Sequence, residues 1–120
     1  MNTNQDYRFN DKDRSIEIFR NNLPTPWINY LSNGKLHAFV SQAGGGFAWW
    51  KSPITYRLMH YRYQNVPMDG PGFYTYIREK NEPVWSPTGQ PCDVLIDNWK
   101  AEHHPGWSKF VGTKNNLKVE

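Results

Sequence analysis

The stretch Leu36-His37-Ala38-Phe39-Val40-Ser41-Gln42-Ala43-Gly44-Gly45-Gly46-Phe47-Ala48-Trp49-Trp50-Lys51 reads as two strands joined by a glycine turn. Leu36 to Ser41 and Phe47 to Lys51 carry residues that suit a pleated surface, and the three glycines between them permit positive φ or close backbone approach. A phosphate cradle of the P-loop type needs GxxxxGK[ST] opening a helix. Here the next basic residue, Lys51, follows two tryptophans in a strand, so the hairpin reading stands. Working outward, Ser15 to Phe19 sets Ile16 and Ile18 against Ser15 and Glu17, the alternation of a half-buried strand. Pro24 and Pro26 interrupt the pattern, and the apolar cluster Trp27, Ile28, Tyr30 and Leu31 closes on Ser32-Asn33-Gly34, a turn signal. Downstream, Tyr56 to Gln64 and Phe73 to Arg78 read as strands, Asp93 to Trp99 as a strand in preference to a short turn of helix, and Pro83 to Pro87 as a Pro-bounded edge segment. Ser108 to Gly112 and Leu117 to Glu120 read as a terminal hairpin joined by residues 113–116, leaving an edge with backbone groups open to pairing. Residues 1–14 read as a mobile polar lead-in and 15–120 as one unit of antiparallel sheet. The expected fold is all-β, an antiparallel β-sandwich.

Composition agrees with that class and narrows the function. A chain of 120 residues fits one domain and leaves no room for a second, catalytic one. Six Trp, seven Tyr and six Phe carry much of its apolar surface, and nine Pro and nine Gly interrupt every window long enough for a sustained helix. The net charge is +3, with basic residues scattered among eleven carboxylates rather than gathered into a stripe, so neither nucleic acid nor a membrane surface is an expected partner. Cys92 is the single cysteine and forms no internal disulfide. Together with the polar segment Met1 to Arg20, which lacks an apolar leader, it predicts a reducing, cytoplasmic setting.

The residue patterns for chemistry are sparse. His37, His60, His103 and His104 share no helical i,i+4 spacing, so no metal site is expected, and Cys92 has no identifiable base. Asp69, Glu79, Glu82, Asp93 and Asp97 occupy loop and turn positions, so none is assigned as a catalytic acid. Trp49, Trp50, Tyr61, Tyr63, Tyr74, Tyr76, Trp85, Trp99 and Trp107 offer flat faces for stacking on a sugar ring, although strand aromatics more often fill cores and interfaces. The candidate substrate-binding or interface residues are Trp49, Trp50, Tyr61, Arg62, Tyr63, Asn65 and Trp85. Arg62, between two tyrosines, reads as a structural guanidinium that hydrogen-bonds and stacks.

Pro26-Trp27-Ile28-Asn29-Tyr30-Leu31, Ala43-Gly44-Gly45, Tyr61-Arg62-Tyr63, Asn65-Val66-Pro67-Met68-Asp69 and Trp85-Ser86-Pro87 follow one another in a characteristic order. That series resembles the amino-terminal region of the cellobiose and cellodextrin phosphorylases, the inverting disaccharide phosphorylases of glycoside hydrolase family 94. The resemblance runs from about Arg14 to Glu120. Departures are Gly46 where an aromatic is usual, His60 where a basic residue is usual, Gln64 for Asn, and His103-His104-Pro105-Gly106-Trp107 for a His-Gly-Leu-Gly-Tyr pattern. The resemblance implies cleavage of a β-glucosidic bond by inorganic phosphate, a co-substrate, with release of glucose 1-phosphate and no cofactor. It also implies that the catalytic acid lies in an α-helical barrel domain absent from this chain. On that basis the chain is the first half of the family's amino-terminal super-sandwich, incomplete alone and non-catalytic, scaffolding the barrel and the subunit interface. The implied partners are the barrel domain or a separate catalytic polypeptide in a homodimer or hetero-oligomer, and a β-glucan oligosaccharide. The alternative is a stand-alone carbohydrate-binding or assembly module.

Overall fold

Turn chemistry and strand alternation account for most of the architecture. The computed structural model describes residues 5–59 and 72–120. Eight strands lie among these residues: β1 (Tyr7–Asn10), β2 (Ser15–Ile18), β3 (Ile28–Ser32), β4 (Leu36–Ser41), β5 (Gly46–Trp50), β6 (Asp97–His104), β7 (Trp107–Lys114) and β8 (Leu117–Val119). They form a five-stranded sheet in the order β1-β2-β6-β7-β8 and a three-stranded sheet β3-β4-β5. Every pairing is antiparallel. The all-β, antiparallel expectation therefore holds, and no helix among the described residues is long and apolar enough to cross a membrane.

The three-stranded sheet forms where the glycine hairpin was expected. Asn33 Oδ1 accepts from the Lys35 and Leu36 amides at 3.1 and 2.8 Å, which tightens the β3–β4 turn. Between β4 and β5, the Ser41 hydroxyl accepts from the Gly45 amide at 3.0 Å, and the Gly44 amide donates to the Ser41 carbonyl at 3.0 Å. Gly46 has φ +154°, and a Cβ built there would lie 2.0 Å from the Phe39 carbonyl oxygen, so only glycine fits. The register sets His37 opposite Trp49 and Phe39 opposite Phe47 on one face, and Ala38 opposite Ala48 on the other. The resulting aromatic cluster is tight, with Phe47 and Trp49 centroids 5.0 Å apart and His37 stacked on Trp49 at 5.4 Å.

The five-stranded sheet carries the main core. Ile18, Trp85, Ile96, Trp99 and Ala101 are buried there, with Tyr7, Ile16, Trp27 and Phe110 packed around them. Trp99 donates its indole N–H to the Pro87 carbonyl at 3.0 Å, whereas the indole N–H of the fully buried Trp85 has no hydrogen-bond partner. On the opposite face of this sheet the in-register pair Glu17 and Glu102 would repel. Lys100 bridges them, with Nζ 3.5 Å from Glu17 and 2.5 Å from Glu102, and Arg8 pairs with Glu17 from β1. Burial alone would push the Glu102 pKa up, but hydrogen bonds from Lys100 and His104 outweigh it and hold the carboxyl below its ordinary value.

Three expectations change, and a fourth lies mostly outside the described residues. The polar lead-in contains β1, whose Tyr7 meets the Trp27 ring at 4.6 Å, so an edge strand occupies a stretch of mostly polar composition. The strand expected over 93–99 instead spans Asp97–His104: Asp93 takes φ +50° in a turn, and Val94 and Ile96 reach the core from loop backbone. The Phe73 to Arg78 strand is reduced to a bridge between Ile77 and Trp85, consistent with the turn at 80–81 and Pro83 cutting the ladder short. Of Tyr56 to Gln64, residues 56–59 carry one bridge, Arg57 to Trp49, and the remainder lies outside the described residues.

Candidate functional site

Two features stand out, one where the sheets meet and one beside the larger sheet. The first is a polar seam. The Asn29 amide, on β3, donates across to the His104 and Trp107 carbonyls at 2.8 and 2.9 Å and to the Ser108 hydroxyl at 3.0 Å. His103 Nε2 lies 3.1 Å from the Trp27 carbonyl, and its Nδ1 lies 2.9 Å from Ser108 Oγ. A carbonyl only accepts, so Nε2 carries a proton. Burial holds the imidazole pKa below the ordinary 6.5, against the opposing influence of the Trp27 carbonyl, and in the neutral ring that this favours Nδ1 accepts from the Ser108 hydroxyl. Gln42 completes the seam: its side chain accepts from the Trp27 amide at 2.8 Å and donates to the Asn21 carbonyl at 3.1 Å.

The second feature is a groove of about 520 Å³ beside β7 and β8. Phe73 and Trp107 line it, 46% and 49% exposed, with Phe110 and Val119 contributing apolar surface. The Gly44 carbonyl accepts from the Phe73 amide at 2.9 Å, so the glycine hairpin fixes the backbone that carries Phe73. Trp107 stacks on His104 with centroids 3.7 Å apart and planes 9° apart. His104 Nε2 is in turn 3.2 Å from Glu102. The Thr75 side chain and the Lys109–Glu120 ion pair add polar groups to the lining.

The residues singled out from sequence are dispersed. Trp85 is 0% exposed and Trp49 only 8%, so neither presents a ring face to a ligand. Trp50 is 38% exposed, with the Lys51 ammonium 6.0 Å from its ring. Tyr61, Arg62, Tyr63 and Asn65 lie outside the described residues. Trp107 is one of many aromatics in the sequence, and Phe73 reads there only as a strand residue. The Pro105-Gly106 dipeptide before Trp107 is the signal that finds the first of them. With Gly106 at φ +96° it closes the β6–β7 hairpin and sets Trp107 opposite His104. Among the described residues no three His, Cys, Asp or Glu side chains converge as a metal site.

Two antiparallel sheets joined through a polar seam, with an aromatic groove beside the free end of the larger one, define the class: a β-sandwich domain. The chain belongs to the family described as glycosyl hydrolase 94, supersandwich domain, which it matches over residues 14–120. It is 32% identical over 112 residues to an N,N'-diacetylchitobiose phosphorylase of Vibrio proteolyticus, and equally to that of Vibrio furnissii. The aligned region is 91% of this chain and 14% of each relative, so the chain spans about one-seventh of their length. It is also 28% identical over 98 residues to the cyclic beta-(1,2)-glucan synthase NdvB of Rhizobium meliloti (strain 1021), covering 81% of this chain and 3% of that protein.

Proposed function

We propose that this chain is the non-catalytic β-sandwich portion of an inverting β-glycoside phosphorylase, scaffolding a catalytic α-helical barrel and the subunit interface. The observation that carries this reading is the family match across nearly the whole chain, within relatives about seven times its length. Surface composition supports a docking role. Ile28 and Tyr30 are exposed on β3 at one edge of the three-stranded sheet, and Ile54, Tyr56 and Leu58 are exposed beside β5 at the other. Large exposed apolar side chains flanking one sheet suit burial against another surface. The bond cleaved is that of a β-linked disaccharide of glucose or N-acetylglucosamine, with phosphate as co-substrate. The cellobiose and cellodextrin preference expected from the motifs stands beside relatives named for N,N'-diacetylchitobiose. Cytoplasmic residence and oligomeric assembly with the catalytic part belong to the same proposal.

The test is reconstitution. The chain is mixed with a family 94 catalytic polypeptide lacking its own sandwich, and sugar 1-phosphate release is followed with cellobiose or N,N'-diacetylchitobiose plus phosphate. The chain alone should release none, and the mixture should exceed the catalytic polypeptide alone. Phosphorolysis by the isolated chain, or a catalytic polypeptide indifferent to it, would contradict the reading.

A further inference from the structure

The groove beside β7 combines features that the scaffolding role does not require. Trp107 lays one ring face on the His104 imidazole, whose Nε2 meets Glu102, itself paired with Lys100. Nearly half of Trp107 is still exposed, as is Phe73 in the same groove. A pyranose in which the hydroxyls lie equatorial presents a patch of axial C–H bonds, slightly positive, that fits the negative face of an aromatic ring. Its rim of hydroxyls needs donors and acceptors. The Thr75 hydroxyl, the Lys109 ammonium and the Glu120 carboxylate supply both kinds along the lining. A volume of about 520 Å³ falls within the range of small-ligand clefts.

We propose that this groove is a pyranose-binding subsite for a β-linked gluco-configured oligosaccharide, with Trp107 and Phe73 as stacking surfaces and Thr75 as a hydroxyl partner. The choice of sugar rests on the reading of the chain as part of a β-glycoside phosphorylase; the groove chemistry does not. A sugar fits this place better than an extended peptide strand. The neighbouring edge strand β8 has three residues, and Lys118 and Glu120, flanking Val119, pair at 3.8 Å, which blunts the edge against strand addition.

The test uses the full chain labelled with 5-fluorotryptophan, in which Trp107→Phe assigns the Trp107 fluorine signal. Titration with cellotetraose and with N,N'-diacetylchitobiose should move that signal saturably with at least one sugar, and leave the signal of the buried Trp85 in place. Calorimetry should then show Trp107→Ala and Phe73→Ala each weakening that sugar by about tenfold, equivalent to about 1.4 kcal/mol. Trp107→Phe, which keeps an aromatic face, should lose much less, and Phe9→Ala, an exposed ring on β1, should lose nothing. Circular dichroism confirms that each variant is folded, and Trp107→Phe keeps the test decisive if the alanine variants are not. No saturable shift with either sugar, or unchanged affinity in folded Trp107→Ala, overturns the subsite. If the catalytic polypeptide moves the Trp107 signal and sugar does not, the groove is a protein interface: the subsite falls while the scaffolding function gains. Sugar binding retained without any association with the catalytic polypeptide supports the subsite and contradicts the scaffolding function alone.

Discussion

His103 is a buried titratable residue with a hydrogen-bond partner at each ring nitrogen. Its neutral ring accepts a hydrogen bond from the Ser108 hydroxyl and donates one to the Trp27 carbonyl, linking both sheets. Protonation would place a second donor at Nδ1, turning Ser108 from donor to acceptor and charging a buried ring. The folded pKa is depressed below 6.5, so the stability gained from the neutral ring is complete above that value. It is lost as pH falls from about 6.5 through the folded pKa. Thermal melts between pH 7.5 and 5.5, a range chosen to lie above the ordinary carboxylate values, should show a falling midpoint that flattens in His103→Gln. At pH 7.5 that variant should itself be less stable by about 1–3 kcal/mol. Two tryptophans give a second comparison. The Trp99 indole is hydrogen-bonded and that of Trp85 is not, so Trp99→Phe leaves the Pro87 carbonyl unpaired while Trp85→Phe removes an orphan donor. Urea titrations should rank Trp85→Phe as the milder change, by about 1 kcal/mol. Gly46→Ala should be severe, costing more than about 2 kcal/mol or preventing folding, since the new methyl meets the Phe39 carbonyl.

At the scale of elements, the legible parts were those whose turns announce themselves. The glycine hairpin and the Asn33-Gly34 turn fixed β3 to β5. The Asn115-Asn116 pair, both with positive φ, closes β7 on β8 as a primed hairpin turn does. The misplaced strand had a physical cause: Val94-Leu95-Ile96 is apolar enough to read as a strand, yet the β6 register is set from its far end by Pro105-Gly106. β1 went unread because Tyr7 and Phe9 alternate over only four residues amid charge. The site was less legible still. Trp49 and Trp85 signal aromatic surface in sequence, but the register of β5 and the bridge from Ile77 to Trp85 bury them. β1 supplies a test at this scale, because the family match begins at residue 14 and excludes it. Deleting residues 1–13 uncovers the edge of β2, strips the Tyr7 ring from Trp27 by removing it, and leaves buried Glu17 without Arg8. The shortened chain should be destabilised by about 2–4 kcal/mol and should self-associate in sedimentation velocity. A dispensable lead-in would show neither change.

For the whole molecule, the main core lies in the five-stranded sheet, and exposed apolar side chains flank both edges of the three-stranded sheet as well as standing on β1, β7 and β8 of the larger one. Such a distribution suits a domain that finishes its burial against another surface. The proposed function places that surface on the catalytic polypeptide, so the two should associate. Native mass spectrometry of the chain co-expressed with a family 94 catalytic polypeptide lacking its own sandwich is the most direct measurement. The account predicts a stable complex holding the two polypeptides in equal number, weakened when Tyr30 and Tyr56 are both changed to Ser. Two free species at every concentration, with the chain folded and monomeric, would contradict it.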